Sequence, residues 1–145
     1  MTNDEADRLL HGFAEWTNLE PSWRALALVG SWARGAARDD SDLDLLVLTD
    51  RLESWTASDT WLRTIVTALG YRGAIAGLEV YGVAKSWRVW LGPRVELELA
   101  LAPLSWADIS PIDSGSCRVV SDGMVAVVDK DGLLRSIQDA VLARR

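Results

Sequence analysis

Two short stretches of the chain hold residue types that can do chemistry together. The first is Gly30-Ser31, which closes the apolar run Ala25-Leu26-Ala27-Leu28-Val29. Gly30 has no Cβ, so a bulky ligand can come close to the backbone there. The amides of Ser31 and the residues after it would stand free at the start of a short helix. Free amides at the positive end of a helix suit a phosphate. The Ser31 hydroxyl adds a donor, and Arg34, one turn further on, can reach the same anion. The second stretch is Asp42-Leu43-Asp44. On a strand, residues i and i+2 share a face, so the two carboxylates would leave it side by side. Such a pair repels, and each acid is pushed toward protonation. A divalent cation relieves the repulsion. Oxygen donors of this kind suit Mg²⁺, which takes one or two carboxylates and fills its shell with substrate phosphates. A phosphate cradle followed by a carboxylate pair therefore predicts a Mg²⁺–triphosphate held between them, as metal-assisted phosphoryl-type transfer requires.

A third carboxylate would complete a two-metal site. Glu96 and Glu98 share one face of a later strand, and Val95, Leu97, Leu99 and Leu101 take the other. Glu98 lies deeper in the strand and further from its turn, so it is the preferred third acid, with Glu96 as the alternate. Each feature also has an ordinary structural reading. Gly-Ser turns are common, an Asp-x-Asp pair can cap a strand end, and glutamates on an edge strand blunt aggregation. Ser41 can be a plain turn residue, and Arg34 a surface ion pair of small energetic worth. The joint order and spacing are what argue for a site.

The elements that must position these residues follow from the pattern. Leu10, Phe13, Ala14 and Thr17 fall at helical spacing, which predicts a helix from about Asp4 to Thr17, capped by Asn3 and ended by Pro21. Ala25 to Val29 reads as a buried strand, Ser31 to Ala37 as a small-residue turn or short helix, and Asp42 to Thr49 as a second strand. Leu62, Ile65, Val66 and Leu69 predict a helix stopped by Gly70. Strands dominate from Leu78, with Arg88 to Leu91 and Val95 to Ala102 joined as a hairpin through Gly92-Pro93-Arg94. Cys117 to Val120 and Met124 to Val128 read as a last strand pair, and Leu133, Leu134, Ile137 and Val141 as a closing helix. The class is α/β (α+β): a mixed β-sheet with flanking helices in one domain, residues 1–145. Its core motif is at 28–47, the third-acid hairpin at 86–102, and the strand pair and helix at 115–145.

The string Gly30-Ser31-Trp32-Ala33-Arg34-Gly35, then Ser41-Asp42-Leu43-Asp44-Leu45, resembles the nucleotidyltransferase domain of the DNA polymerase β superfamily. That family's hallmark is Gly-Ser, a loop of about ten residues, Asp-x-Asp or Asp-x-Glu on a strand, and a third acid on a later strand. The Gly-Ser-x-Ala-Arg-Gly form is similar to its small bacterial branch, which includes the minimal nucleotidyltransferases and the aminoglycoside adenylyltransferases. The resemblance implies the polymerase β-like fold and a reaction in which an acceptor hydroxyl attacks the α-phosphate of a nucleoside triphosphate and pyrophosphate leaves. By position, Gly30 and Ser31 would hold the β and γ phosphates, and Asp42, Asp44 and Glu98 would ligate the metals. Glu98 would also serve as base. Adenylyl transfer from ATP with Mg²⁺ is the form of the reaction expected. The alternative on the same fold is a nucleotide- or metal-binding module, or an antitoxin-like partner of a helical toxin, that transfers nothing. The antibiotic-modifying relatives hold their acceptor with a C-terminal helical domain, whereas the residues after Ala102 are expected to form two strands and a helix only. The acceptor, a small molecule or a protein, is left open, as are a homodimer and a helical partner protein.

Composition bounds the rest. In 145 residues there are 15 Lys and Arg against 21 Asp and Glu, a formal charge of −6. That argues against bulk nucleic-acid or anionic membrane binding. The one cysteine, Cys117, excludes an intramolecular disulfide, and the one histidine, His11, excludes any scheme needing two. No apolar run approaches the ~20 residues of a membrane span, and the acidic start Asn3-Asp4-Glu5 is unlike a signal peptide, so the expected address is the cytoplasm. Most of the eight tryptophans are expected to be packing residues, with Trp32 able either to stack near a nucleotide or to pack on the first helix. Lys85, Arg88 and Arg94 read first as solvated surface, with lining the acceptor side or offsetting the acidic cluster as the alternatives. Asp129-Lys130-Asp131-Gly132 reads as a turn and helix cap.

Overall fold

The computed structural model describes residues 1–93 and 95–144, so Arg94 lies outside the described residues. Helix α1 (Asn3–Leu19) leads into strand β1 (Trp23–Val29), a short helix α2 (Gly30–Ala33) and strand β2 (Leu43–Thr49). Helices α3 (Leu52–Thr56) and α4 (Thr60–Ala68) precede strands β3 (Ala74–Tyr81), β4 (Ala84–Gly92) and β5 (Val95–Pro103). A 3-10 turn (Leu104–Ala107), helix α5 (Ser114–Asp122), strand β6 (Met124–Asp129) and helix α6 (Leu133–Leu142) follow. The strands form one six-stranded sheet in the order β3-β4-β5-β2-β1-β6. β2 and β5 are parallel, and the other neighbours are antiparallel. This is the mixed sheet with flanking helices that the sequence predicts.

Alternation along the strands gives the sheet two unlike faces. On one, Leu43, Leu45 and Val47 of β2 join Leu97, Leu99 and Leu101 of β5 in a continuous core. Leu9 and Phe13 of α1 and Leu62, Ile65 and Val66 of α4 close over it. The other face is divided along its length. At one end Ala25, Ala27, Leu46, Leu48 and Ala102 are covered by Trp106 of the 3-10 turn and by Leu134 and Ile137 of α6. At the opposite end the same face carries Asp44, Glu96 and Glu98.

Local chemistry fixes the ends of these elements. α1 starts with Thr2 as its cap, rather than Asn3. The Thr2 hydroxyl accepts from the Glu5 N–H at 3.1 Å, and the Glu5 carboxylate accepts from the Thr2 N–H at 3.0 Å. That reciprocal pair satisfies two amides a helix start otherwise leaves unpaired. Asp129 caps α6, its carboxylate accepting from the N–H groups of Leu134 and Arg135, which is the cap role the sequence assigns to that turn.

The C-terminal strand pair expected from Cys117 to Val128 is corrected. Residues Ser114–Asp122 form α5, and β6 pairs with β1 rather than with a neighbouring hairpin strand. The Asp113 carboxylate accepts from the Ser116 N–H and caps the helix, and Gly123, at φ 125°, ends it. These signals outweigh the strand preference of Val119 and Val120. Cys117 is accordingly a half-buried helix residue, not a buried strand residue.

Trp16, Trp23, Trp55 and Trp61 meet edge to face with ring centroids 5.2 to 6.3 Å apart. The indole N–H groups of Trp61 and Trp87 both donate to the Trp55 carbonyl at 3.1 Å. These rings serve packing, as expected. No helix among the described residues is long and apolar enough to cross a membrane.

Candidate functional site

The corner between β1 and α2 is set by Gly30. Its φ of 72° lies in the left-handed region that glycine tolerates. A Cβ at this position would run into Oδ2 of Asp44. Glycine is therefore what lets that carboxylate close against the backbone. No side chain caps the amides that open α2.

Sheet register brings the acids to this corner. Val29, the residue before Gly30, is the antiparallel partner of Asp44. Asp44 is in turn the parallel partner of Glu98. Three neighbouring strands thus deliver the corner, the second aspartate and the preferred third acid side by side. Asp42 precedes β2 rather than lying on it, and its carboxyl meets Glu96 instead. Glu96 and Glu98 do share a face, and Val95, Leu97, Leu99 and Leu101 are buried on the other.

One open cleft of about 680 Å³ takes in Gly30, Ser31, Arg34, Asp42 and Asp44. Glu98 lines a smaller pocket of about 250 Å³, which also touches Gly30, Arg34 and Asp44. The six residues singled out from the sequence therefore border two adjoining hollows. Among the described residues, no three His, Cys, Asp or Glu side chains are gathered closely enough to hold a metal by themselves. The acids stand instead as two facing pairs, Asp44 with Glu98 and Asp42 with Glu96.

The electrostatics follow from this crowding. Burial, then the nearby Glu98 and Asp42 charges, push the Asp44 carboxyl up to about 7. Burial and a hydrogen bond with Asp42 likewise raise Glu96, against the opposing pull of Arg88. Arg88 Nε lies 3.0 Å from Oε1 of Glu96, a side chain only 11% exposed. An all-oxygen donor set in which burial and crowded like charge raise Asp44 fits a hard divalent cation.

Sequence reasoning misses one of the surrounding side chains, Ser86, and ranks the role of another, Arg88, too low. The Ser86 hydroxyl donates to Oε1 of Glu98 at 3.1 Å, which fixes one oxygen of that acid. Arg88 is an ion-pair partner inside the acidic face, which is the charge-offsetting alternative and not the solvated surface residue it first reads as. Both depend on how β4 registers against β5, which sets Arg88 opposite Glu98 and Ser86 opposite Ala100. Local spacing carries no trace of that. Lys85 alternates to the other face of β4 and takes no part. The remaining expectations are ordinary. Ser41 is a turn residue whose hydroxyl accepts from the Arg38 N–H at 2.7 Å. Trp32 packs against the α1-side core. His11 is exposed and lies 3.0 Å from Glu15 on the surface of α1.

Comparison with known families agrees with this geometry. Residues 18–98, more than half of the chain, match the model of the nucleotidyltransferase domain. The chain belongs to that family, within the polymerase β-like superfamily. The matched segment runs from the end of α1 to Glu98. No curated protein matches the chain. Membership makes the protein a transferase of the nucleotidyl class, with a nucleoside triphosphate as the expected donor; domains of this family generally use divalent metals.

Proposed function

We propose that the protein transfers AMP from ATP to an acceptor hydroxyl and releases pyrophosphate, with Mg²⁺ held by Asp42, Asp44 and Glu98. The observation that carries this reading is the register of three strands, which sets Asp44 between the Gly30 corner and Glu98. When bound, the metal would neutralise phosphate charge and polarise the α-phosphate. The chain's own residues do the rest. The open amides after Gly30 and the Ser31 hydroxyl hold the terminal phosphates, and Arg34 reaches the same anion from the next turn. Asp42 and Asp44 would supply the hard oxygen ligands that such a metal takes alongside substrate phosphates. That division of labour suits acids that stand in pairs rather than in a closed cage. Glu98 takes the proton from the attacking hydroxyl, and the Ser86 hydrogen bond keeps the carboxylate aimed.

The test uses purified protein, Mg²⁺ and ATP labelled at the α-phosphorus. Labelled AMP, free or on an acceptor, together with pyrophosphate is the expected result, and both should disappear in Asp44→Asn. Thermal stabilisation by Mg²⁺–ATP with no pyrophosphate would favour a binding module on the same fold. Absence of both binding and pyrophosphate would refute the reading.

A further inference from the structure

A second hollow lies beside the acids, and nothing in the reaction above uses it. It measures about 530 Å³ and is lined by Leu46, Ala84, Ala100, Trp106 and Val119, with Tyr81 and Val83 of the β3–β4 turn at its rim. The volume is that of a small-molecule site. Asp113 is its one charged lining residue, and that carboxylate already caps α5. Tyr81 and Val83 are 50% and 52% exposed, so the rim presents apolar surface to solvent.

The position of this hollow matters more than its size. Leu46 and Ala100 follow Asp44 and Glu98 by two residues on β2 and β5, so they lie on the same face of the sheet. Two residues of strand span about 6.6 Å. The apolar hollow and the Glu98 pocket also share Val29, Ala100 and Val119 as lining residues. An apolar body lodged over Ala100 would therefore put a hydroxyl at its near end within reach of Glu98. The acids beyond it, Asp44, Glu98 and Asp122, would repel an anionic acceptor. Apart from Asp113 and the Tyr81 hydroxyl at its rim, the side chains named as its lining are apolar, so the many hydroxyls of a sugar would be buried there largely unpaired, which is costly.

We propose that this hollow is the acceptor subsite, and that the acceptor is a small, neutral, largely apolar molecule bearing one reactive hydroxyl. The proposal rests on the nucleotidyl-transfer reading and names its substrate class. In the step, the acceptor oxygen forms a bond to the α-phosphorus and the bond from that phosphorus to the bridging oxygen of the β-phosphate breaks. Pyrophosphate carries off the bond's electron pair. The hydroxyl proton passes to the Glu98 carboxylate and then to water.

2-Naphthol serves as the probe, because its own fluorescence reports burial and its hydroxyl can accept a nucleotidyl group. Two variants test the site. Ala84→Leu fills the hollow at a residue that does not line the Glu98 pocket, and Val83→Asp charges its exposed rim without touching the sheet interior. The wild-type protein is expected to bind 2-naphthol without nucleotide and, given Mg²⁺ and α-labelled ATP, to yield labelled naphthyl phosphodiester. Both variants should weaken naphthol binding at least tenfold while Mg²⁺–ATP binding is kept. Glu98→Gln should keep naphthol binding and lose the product. Equal naphthol binding by wild type and Val83→Asp, or none by wild type, would overturn the subsite. Naphthol binding with pyrophosphate release but no naphthyl product would overturn the acceptor role and leave nucleotidyl transfer standing. Label retained on Tyr81 of the protein would overturn the small-molecule assignment. If wild type binds naphthol but neither binds nor cleaves Mg²⁺–ATP, the failure lies in the parent reading and takes the acceptor role with it.

Discussion

Asp44 is the side chain on which burial, charge and backbone all converge. Its carboxyl is held near pKa 7, well above the ordinary 3.8, first by burial and then by Glu98 and Asp42. The folded state therefore keeps a proton that the unfolded chain has lost between about pH 4 and about pH 7. Stability contributed by this group is full below the unfolded value and falls as pH rises through the folded one. Chemical denaturation of the metal-free protein across that window should show stability declining with pH, and Asp44→Asn should flatten the decline. The same variant should lose nucleotidyl transfer by about a hundredfold or more, because metal contacts are worth several kcal/mol in the transition state. A steeper decline in Asp44→Asn than in wild type would contradict the burial and crowding described above. Gly30 is the backbone counterpart. Gly30→Ala puts a Cβ against Oδ2 of Asp44 and an alanine at φ 72°, at a cost of about 1–2 kcal/mol from the left-handed conformation alone. Thermal melting should register the loss, and calorimetry should find weaker Mg²⁺–ATP binding. Unchanged melting and binding would mean that the corner is not tight.

At the scale of elements, the part of the site legible in the sequence is the part built from local spacing. The apolar run into Gly30-Ser31, the alternation around Asp44, and the two-faced strand with Glu96 and Glu98 were all readable from residue order, and β1, α2, β2 and β5 form where those patterns fall. What was not readable depends on partners distant in sequence. Ser86 reaches Glu98, and Arg88 reaches Glu96, only because β4 folds back on β5 in one register. α5 departs from the strand expected there for a local reason: Val119 and Val120 favour strand, while the Asp113 cap and the Gly123 stop decide for helix. The buried Ser116 hydroxyl ties that helix to the 3-10 turn by donating to the Trp106 carbonyl at 2.7 Å. Ser116→Ala leaves that acceptor unpaired, and about 1–3 kcal/mol should be lost. Hydrogen exchange should show α5 opening more readily while β2 and β5 stay protected. Equal exchange in α5 would show that the bond does not anchor it.

Across the whole molecule, the sheet works as a partition. One face carries the main apolar core, buried beneath α1 and α4. The other is apolar only where the C-terminal elements cover it, and acidic where it is open. This division keeps the charged residues out of the main core while the strands that hold them are anchored through it. Leu97, fully buried and registered between Leu43 and Val89, is one of those anchors. Leu97→Ala should cost about 2–5 kcal/mol of stability, yet well below its lowered melting point the protein should still bind Mg²⁺–ATP. Lost nucleotide binding in a variant that remains folded would mean that core and site are not separable in this way. A crystal structure with Mg²⁺ and a non-hydrolysable ATP analogue puts the whole arrangement to the proof. Cations on Asp42 and Asp44 with Glu98 turned toward them, and terminal phosphates seated on the amides after Gly30, are the expected result. A nucleotide bound elsewhere, or Asp44 and Glu98 holding no cation beside it, would contradict it.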